Sequence, residues 1–93
     1  MSQPKDIPSL KTLSEKGDAG AQNNLGLRCS KGEGVLSDDV TAYVWHNIAA
    51  ANGNADAKEA KVSLAKIMTS ESVIKAQELS KEMLKKNSKL LKK

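Results

Sequence analysis

"EKGDAGAQNNLG", Glu15 to Gly26, is followed thirty-six residues later by "ANGNADAKEAKV", Ala51 to Val62. Gly17, Ala19 and Ala21 of the first phrase return as Gly53, Ala55 and Ala57 at the same offsets. A glycine can close a helix in the left-handed conformation, and Asp18 or Asn54 behind it suits an N-cap. Small alanines in the next turns let a neighbouring helix approach closely. Each phrase therefore reads as a helix end, a tight turn and a helix start. Recurrence at such a period is the mark of a helical repeat in which stacked units share one core.

Working outward, Ile7, Leu10 and Leu13 fall at intervals of three, and Pro8 sits where a first helical turn tolerates it. A helix is expected near 7–16, then a second near 18–30 with Ala21, Leu25 and Cys29 along one face. The "KGEGVLSDD" stretch is a loop, punctuated by Gly32 and Gly34, with Val35 as the apolar plug returning to the core. Asp38 is the expected N-cap of a third helix near 39–52, whose buried stripe is Ala42, Trp45, Ile48 and Ala49. A fourth helix near 54–67 uses Ala57, Ala60, Leu64 and Ile67. A fifth near 70–86, capped by Thr69, uses Val73, Ala76, Leu79 or Ser80, and Met83. The predicted organisation is a flexible N-terminus over 1–6, one domain over 7–86 and a basic tail over 87–93. The fold class is all-α, an α/α superhelix: a solenoid of antiparallel helix pairs with about five helices.

Ninety-three residues make one small domain, and with one Trp, one Tyr and no Phe its core depends on small-residue helix packing. The single cysteine allows no internal disulfide. No apolar run resembles a leader or a membrane span, so a cytoplasmic location is expected, or a periplasmic one if a precursor was trimmed. From Lys81 onward six lysines face one acid, Glu82, giving +5 against +4 for the whole chain, so the remainder sums to −1. The basic character belongs to the tail, expected as a solvated and partly helical end. With almost no aromatics for base stacking, a nucleic-acid partner is disfavoured, and a membrane contact is expected only through this lysine-rich segment.

The pattern resembles the Sel-one-like repeat (SLR) family, a relative of the tetratricopeptide repeats. The residues that carry the resemblance are Gly17, Ala19, Ala21, Gln22, Leu25 and Gly26, then "GEGV" at Gly32–Val35, Asp38, Ala42, Trp45, Ala49, Ala50 and Gly53. One full unit runs from about Ala19 to Gly53, and "GNADA" opens a degenerate second unit. Helix 7–16 looks like the second half of a preceding unit, and "MTSESVIKAQELSKEML" like a closing helix seen in bacterial members. The resemblance implies a right-handed superhelix acting as a protein-binding scaffold, with no shared catalytic residues. Cys29 and His46 stand where the family commonly has aromatics, which predicts a thinner helix-to-helix seam or one filled by a partner.

Three functions compete on these residues. The leading one is a non-catalytic interaction module that binds a protein or peptide in a concave groove lined by the first helix of each pair. Asn23, Asn24, Leu27 and Arg28 are the side chains the packing pattern leaves free, and Lys58, Lys61 and Ala65 are the expected continuation. The second is a capping, docking or self-associating fragment of a longer repeat assembly, which leaves the back of Leu10 and Leu13 uncovered. The third is a hydrolase using Cys29 and His46, but no Cys–His signature surrounds either, and His46 reads as a seam-packing residue. No metal or other cofactor and no small-molecule substrate are expected: one His, one Cys and a short "SDD" fall short of a ligand set, and "KGEGV" is not a phosphate loop.

Overall fold

In a computed structural model, which describes Pro4, residues 6–34 and residues 37–92, the chain forms five α-helices and a terminal 3-10 turn. They are α1 (Ile7–Glu15), α2 (Ala19–Lys31), α3 (Asp39–Ala51), α4 (Ala55–Ile67) and α5 (Ser70–Lys86), with the turn at Ser88–Leu90. Val35, the expected plug, lies outside the described residues, as does most of the expected flexible N-terminus. Among the described residues there is no strand, and no helix is long and apolar enough to cross a membrane.

Local chemistry fixes the helix starts. Asp18 accepts from Ala21 N at 2.8 Å, and Asn54 accepts from Ala57 N at the same 2.8 Å, so the two repeated phrases build the same cap. Asp38 accepts from the amides of Val40 and Thr41 and from the Thr41 hydroxyl; these bonds hold its carboxyl below the usual carboxylate range. Thr69 caps α5 through Ser72 N. Asp6, which periodicity did not single out, caps α1 through Ser9 N. Each such cap contributes about 1 kcal/mol. Gly17 and Gly53 take φ of 96° and 91°, the left-handed turn that the repeated phrases require.

Packing centres on α3, which lies against α2, α4 and α5. It buries Ala42, Tyr43, Val44, His46, Ile48, Ala49 and Ala50, more of its circumference than the expected stripe, while Trp45 is only half-buried. The principal packing partner of α5 is α3 rather than α4, its neighbour in sequence. Asn47 of α3 ties both later helices in: its amide donates to Ser80 Oγ at 3.2 Å and its oxygen accepts from Lys61 Nζ at 3.0 Å. One expected core position is corrected here. Ile67, read as the last residue of the α4 stripe, is 73% exposed, because α5 turns onto α3 and leaves the end of α4 uncovered. Leu10, in contrast, is fully buried, so only Leu13 of the presumed open back remains partly accessible.

The segment after α5 also departs from the solvated end expected of it. Leu90 is 2% exposed, and its carbonyl accepts from Gln22 Nε2 at 2.9 Å and from Asn52 Nδ2 at 2.8 Å. Gln22, wholly buried on α2, donates also to Ser14 O and accepts from Asn52 Nδ2, so its polar atoms are partnered without water. Asn52 Oδ1 accepts from Lys92 N, and Asn87 Nδ2 donates to Glu15 O. Residues 87–92 thus strap the α1–α2 turn to the α3–α4 turn. Leu90→Ala should lower unfolding free energy by about 3 kcal/mol, as for other buried leucines. Lys89→Ala, altering an exposed side chain, should change it by less than about 0.5 kcal/mol. Urea unfolding of the two variants reads the difference; a solvated tail would leave both midpoints unmoved.

Candidate functional site

Helices α2 and α4 are the leading helices of the two successive pairs, and between them runs a groove of about 300 Å³. Leu27 and Ser30 of α2 form one wall, Ala60, Ser63, Leu64 and Ile67 of α4 the other, and His46 of α3 lies at its base. Leu27 is 40% and Ile67 73% exposed, so the groove presents two unsatisfied aliphatic side chains to solvent. Apart from the imidazole, none of the lining side chains is ionisable.

His46 is held by its neighbours. It is 1% exposed and its ring lies against Gly26, where a Cβ would come within 2.9 Å of Cε1, Nδ1 and Nε2. Only a glycine leaves room for that ring, and the second phrase, which has Val62 at the corresponding position, does not repeat it. Nδ1 stands 2.8 Å from Asn23 Oδ1; since an amide oxygen only accepts, Nδ1 carries the proton and donates. Burial pushes the His46 pKa below its ordinary value of 6.5.

The seven residues expected at the binding surface are distributed over several environments. Leu27 lines the groove. Asn23 is engaged beneath it with His46, and Lys61 with Asn47. Ala65 packs against the core. Lys58 lies with Glu59, Val62 and Ser63 around a separate shallow concavity on α4, and Asn24 and Arg28 are half-buried outside the groove lining. Sequence reasoning did not single out Ser30, Ser63 or Ile67 as surface-forming. The available signal was the alternation of small and aliphatic residues at Ala60, Ser63, Leu64 and Ile67 on one face of α4.

Cys29 opens elsewhere. It is 5% exposed, at the base of a cavity of about 480 Å³ with Lys11, Glu15, Leu25, Asp38, Thr41, Trp45 and Met83. Burial pushes its thiol pKa up, and the Asp38 carboxylate pushes it further, with Lys11 opposing. A thiol so disfavoured as thiolate, on a different cavity from the imidazole, is not poised as a nucleophile. Among the described residues no cluster of three metal-ligating side chains occurs.

The His46 shift has a definite sign. With its native pKa lowered, the unfolded chain binds the proton more readily, so the contribution is intact above pH 6.5 and stability falls as pH drops below it. His46→Phe should flatten that slope between pH 6.5 and the onset of carboxylate titration. Unfolding midpoints measured across this window test it; an unchanged slope in the variant would assign the pH dependence to another group.

Neither a protein-family model nor a curated protein matches the sequence. The solved structure of a protective antigen present in uropathogenic Escherichia coli strains, described as displaying an SLR fold, is similar to it with a TM-score of 0.81 and 28% identity. The likeness covers 86% of this chain and 17% of the antigen, so the chain spans a small part of that protein's length. With its capped glycine turns, its paired helices and this structural likeness, the chain is an all-α helical repeat protein with the SLR fold.

Proposed function

We propose that the chain is a non-catalytic interaction module whose α2–α4 groove receives a segment of a protein partner. The observation that supports this most is the pair Leu27 and Ile67, which expose aliphatic surface across one concavity although Ser30, His46, Ala60 and Leu64 beside them are partly or wholly packed. Aliphatic side chains facing each other over a groove gain from an apolar insert that displaces water. The SLR fold agrees, since stacked helix pairs commonly offer a concave face to other proteins. Asn24, Arg28 and Lys58 are then outlying contacts around the groove rather than its centre.

A second reading is favoured by a separate observation. Val62 on α4 and Ile74 on α5 are each 54% exposed, and Leu13 lines a shallow concavity with Pro8, Ser9 and Thr12 of α1 and with Pro4 before it. Such surfaces suit stacking of a further repeat unit or a second copy. Sedimentation separates this from the first reading: self-association that Val62→Glu and Ile74→Glu abolish supports stacking, and a monomer at every concentration removes it.

The groove is tested by capture from cell extract with wild type, Leu27→Glu/Ile67→Glu and Val62→Glu. Because Leu27 and Ile67 are exposed, the double variant should keep its helical content and melt within about 1 kcal/mol of wild type. Proteins retained by wild type and Val62→Glu should bind the groove variant at least about tenfold more weakly. Undiminished retention by the double variant would remove the groove from the interaction.

A further inference from the structure

Resting on the groove reading above, the geometry points to His46 Nε2 as the hydrogen-bond acceptor that selects the occupant: a polypeptide segment presenting an uncharged aliphatic side chain beside an N–H or O–H donor. The imidazole is 1% exposed, and Nδ1 is committed to Asn23 Oδ1 at 2.8 Å. With the proton on Nδ1, Nε2 carries a lone pair. Nε2 has no hydrogen-bond partner among the described residues, yet it is not among the side-chain atoms sealed from solvent without one; there only Ser14 Oγ is found. The ring lines the α2–α4 groove, and Nε2 is its one nitrogen not already bonded within the protein.

A nearly buried acceptor at the base of an apolar groove discriminates strongly. An insert that brings a donor satisfies it; one that does not strips Nε2 of water and leaves it unpaired. The orientation is fixed in advance, because Gly26 holds the ring face and Asn23 holds the tautomer, so little ordering remains to be done on binding. The lining sets the rest of the chemistry. Leu27, Ala60, Leu64 and Ile67 match an aliphatic side chain, and no ionised group is present to balance a charge on the insert. A volume of about 300 Å³ is at the lower end for ligand sites and suits one side chain with its adjoining backbone. Ser30 and Ser63 also line the groove, but their hydroxyls can rotate toward water and are not oriented as Nε2 is.

The test uses two probes that differ in the donor alone, isoamyl alcohol and its methyl ether, titrated into the full chain with nitrogen-labelled histidine and labelled methyl groups. The alcohol should shift the Leu27 and Ile67 methyl resonances and move His46 Nε2 in the direction of an accepted hydrogen bond. The ether should bind about fivefold more weakly, the worth of one hydrogen bond, and leave Nε2 unmoved. His46→Phe, which keeps a ring on Gly26, should bring the two probes to equal affinity. Equal affinities for wild type, or methyl shifts without an Nε2 response, would overturn the inference while the apolar groove stood; the occupant would then be read by shape alone. A persisting preference for the alcohol in His46→Phe would overturn it too, transferring the acceptor role to Ser30 or Ser63. Absence of any shift at Leu27 and Ile67 with either probe would overturn the groove reading itself.

Discussion

The contact of the His46 ring with the bare Gly26 backbone is the constraint on which the rest of the structure depends. Packing of α2 on α3 is the most extensive in the chain, and it closes to that distance because Gly26 has no side chain there. Once the two helices are seated, Asn23 meets Nδ1, Leu25 and Ala21 turn into the core, and Leu27 is left facing α4. A single methyl group at residue 26 would force the imidazole or the helix aside, because overpacking in a dense interior displaces side chains rather than compressing them. The scaffold and the floor of the groove are thus the same interaction seen from its two sides.

A short repeat chain has little core to share. Here the edge that carries the α1–α2 and α3–α4 turns is closed by backbone and amide chemistry more than by apolar bulk. Gln22, Asn52 and the Leu90 carbonyl form a buried polar knot whose geometry is satisfied from three elements at once. Such a knot contributes through specificity: with any one member displaced, the others become buried groups without partners. Gly17 matters here as well as in its own turn. A Cβ on it would lie 2.5 Å from the Lys89 carbonyl oxygen, so the glycine that ends α1 also clears the path of the strap. Its presence in the repeated phrase therefore answers two demands, only one of them local.

Much of this was legible in the sequence because it is local. The caps at Asp18, Asp38, Asn54 and Thr69 and the glycine turns depend on side chains within three residues, and all five helices lie within about a residue or two of their expected bounds. What was not legible depends on the angles at which helices cross. Ile67 shares the periodic face of Ala60 and Leu64, and its exposure follows only from α5 leaning onto α3. Asn23 looked free on α2 because its partner is twenty-three residues away. In the tail, composition misled: lysines around Leu90 read as a solvated end, while one leucine and two asparagines, Asn52 and Asn87, set its docking.

The two residues that stand where aromatics are common turn out to have opposite physical consequences. His46 does not thin its seam: it is as deeply buried as a larger ring would be, and the nitrogen it adds gives the groove its polar point. Cys29 does leave space, a cavity of about 480 Å³ walled by Trp45 and Met83, with Lys11, Glu15 and Asp38 among its charged members. Lys11 and Glu15 at its rim are exposed, so it is a recess open to solvent and not a void in the core. Cys29 itself is buried in the cluster that holds Ala42, Tyr43 and Ile48 of α3, so α2 meets α3 through this residue as well as through Gly26. The two substitutions therefore differ in what replaces the aromatic bulk: at His46 a ring closed onto bare backbone, at Cys29 a small buried thiol with solvent space beside it.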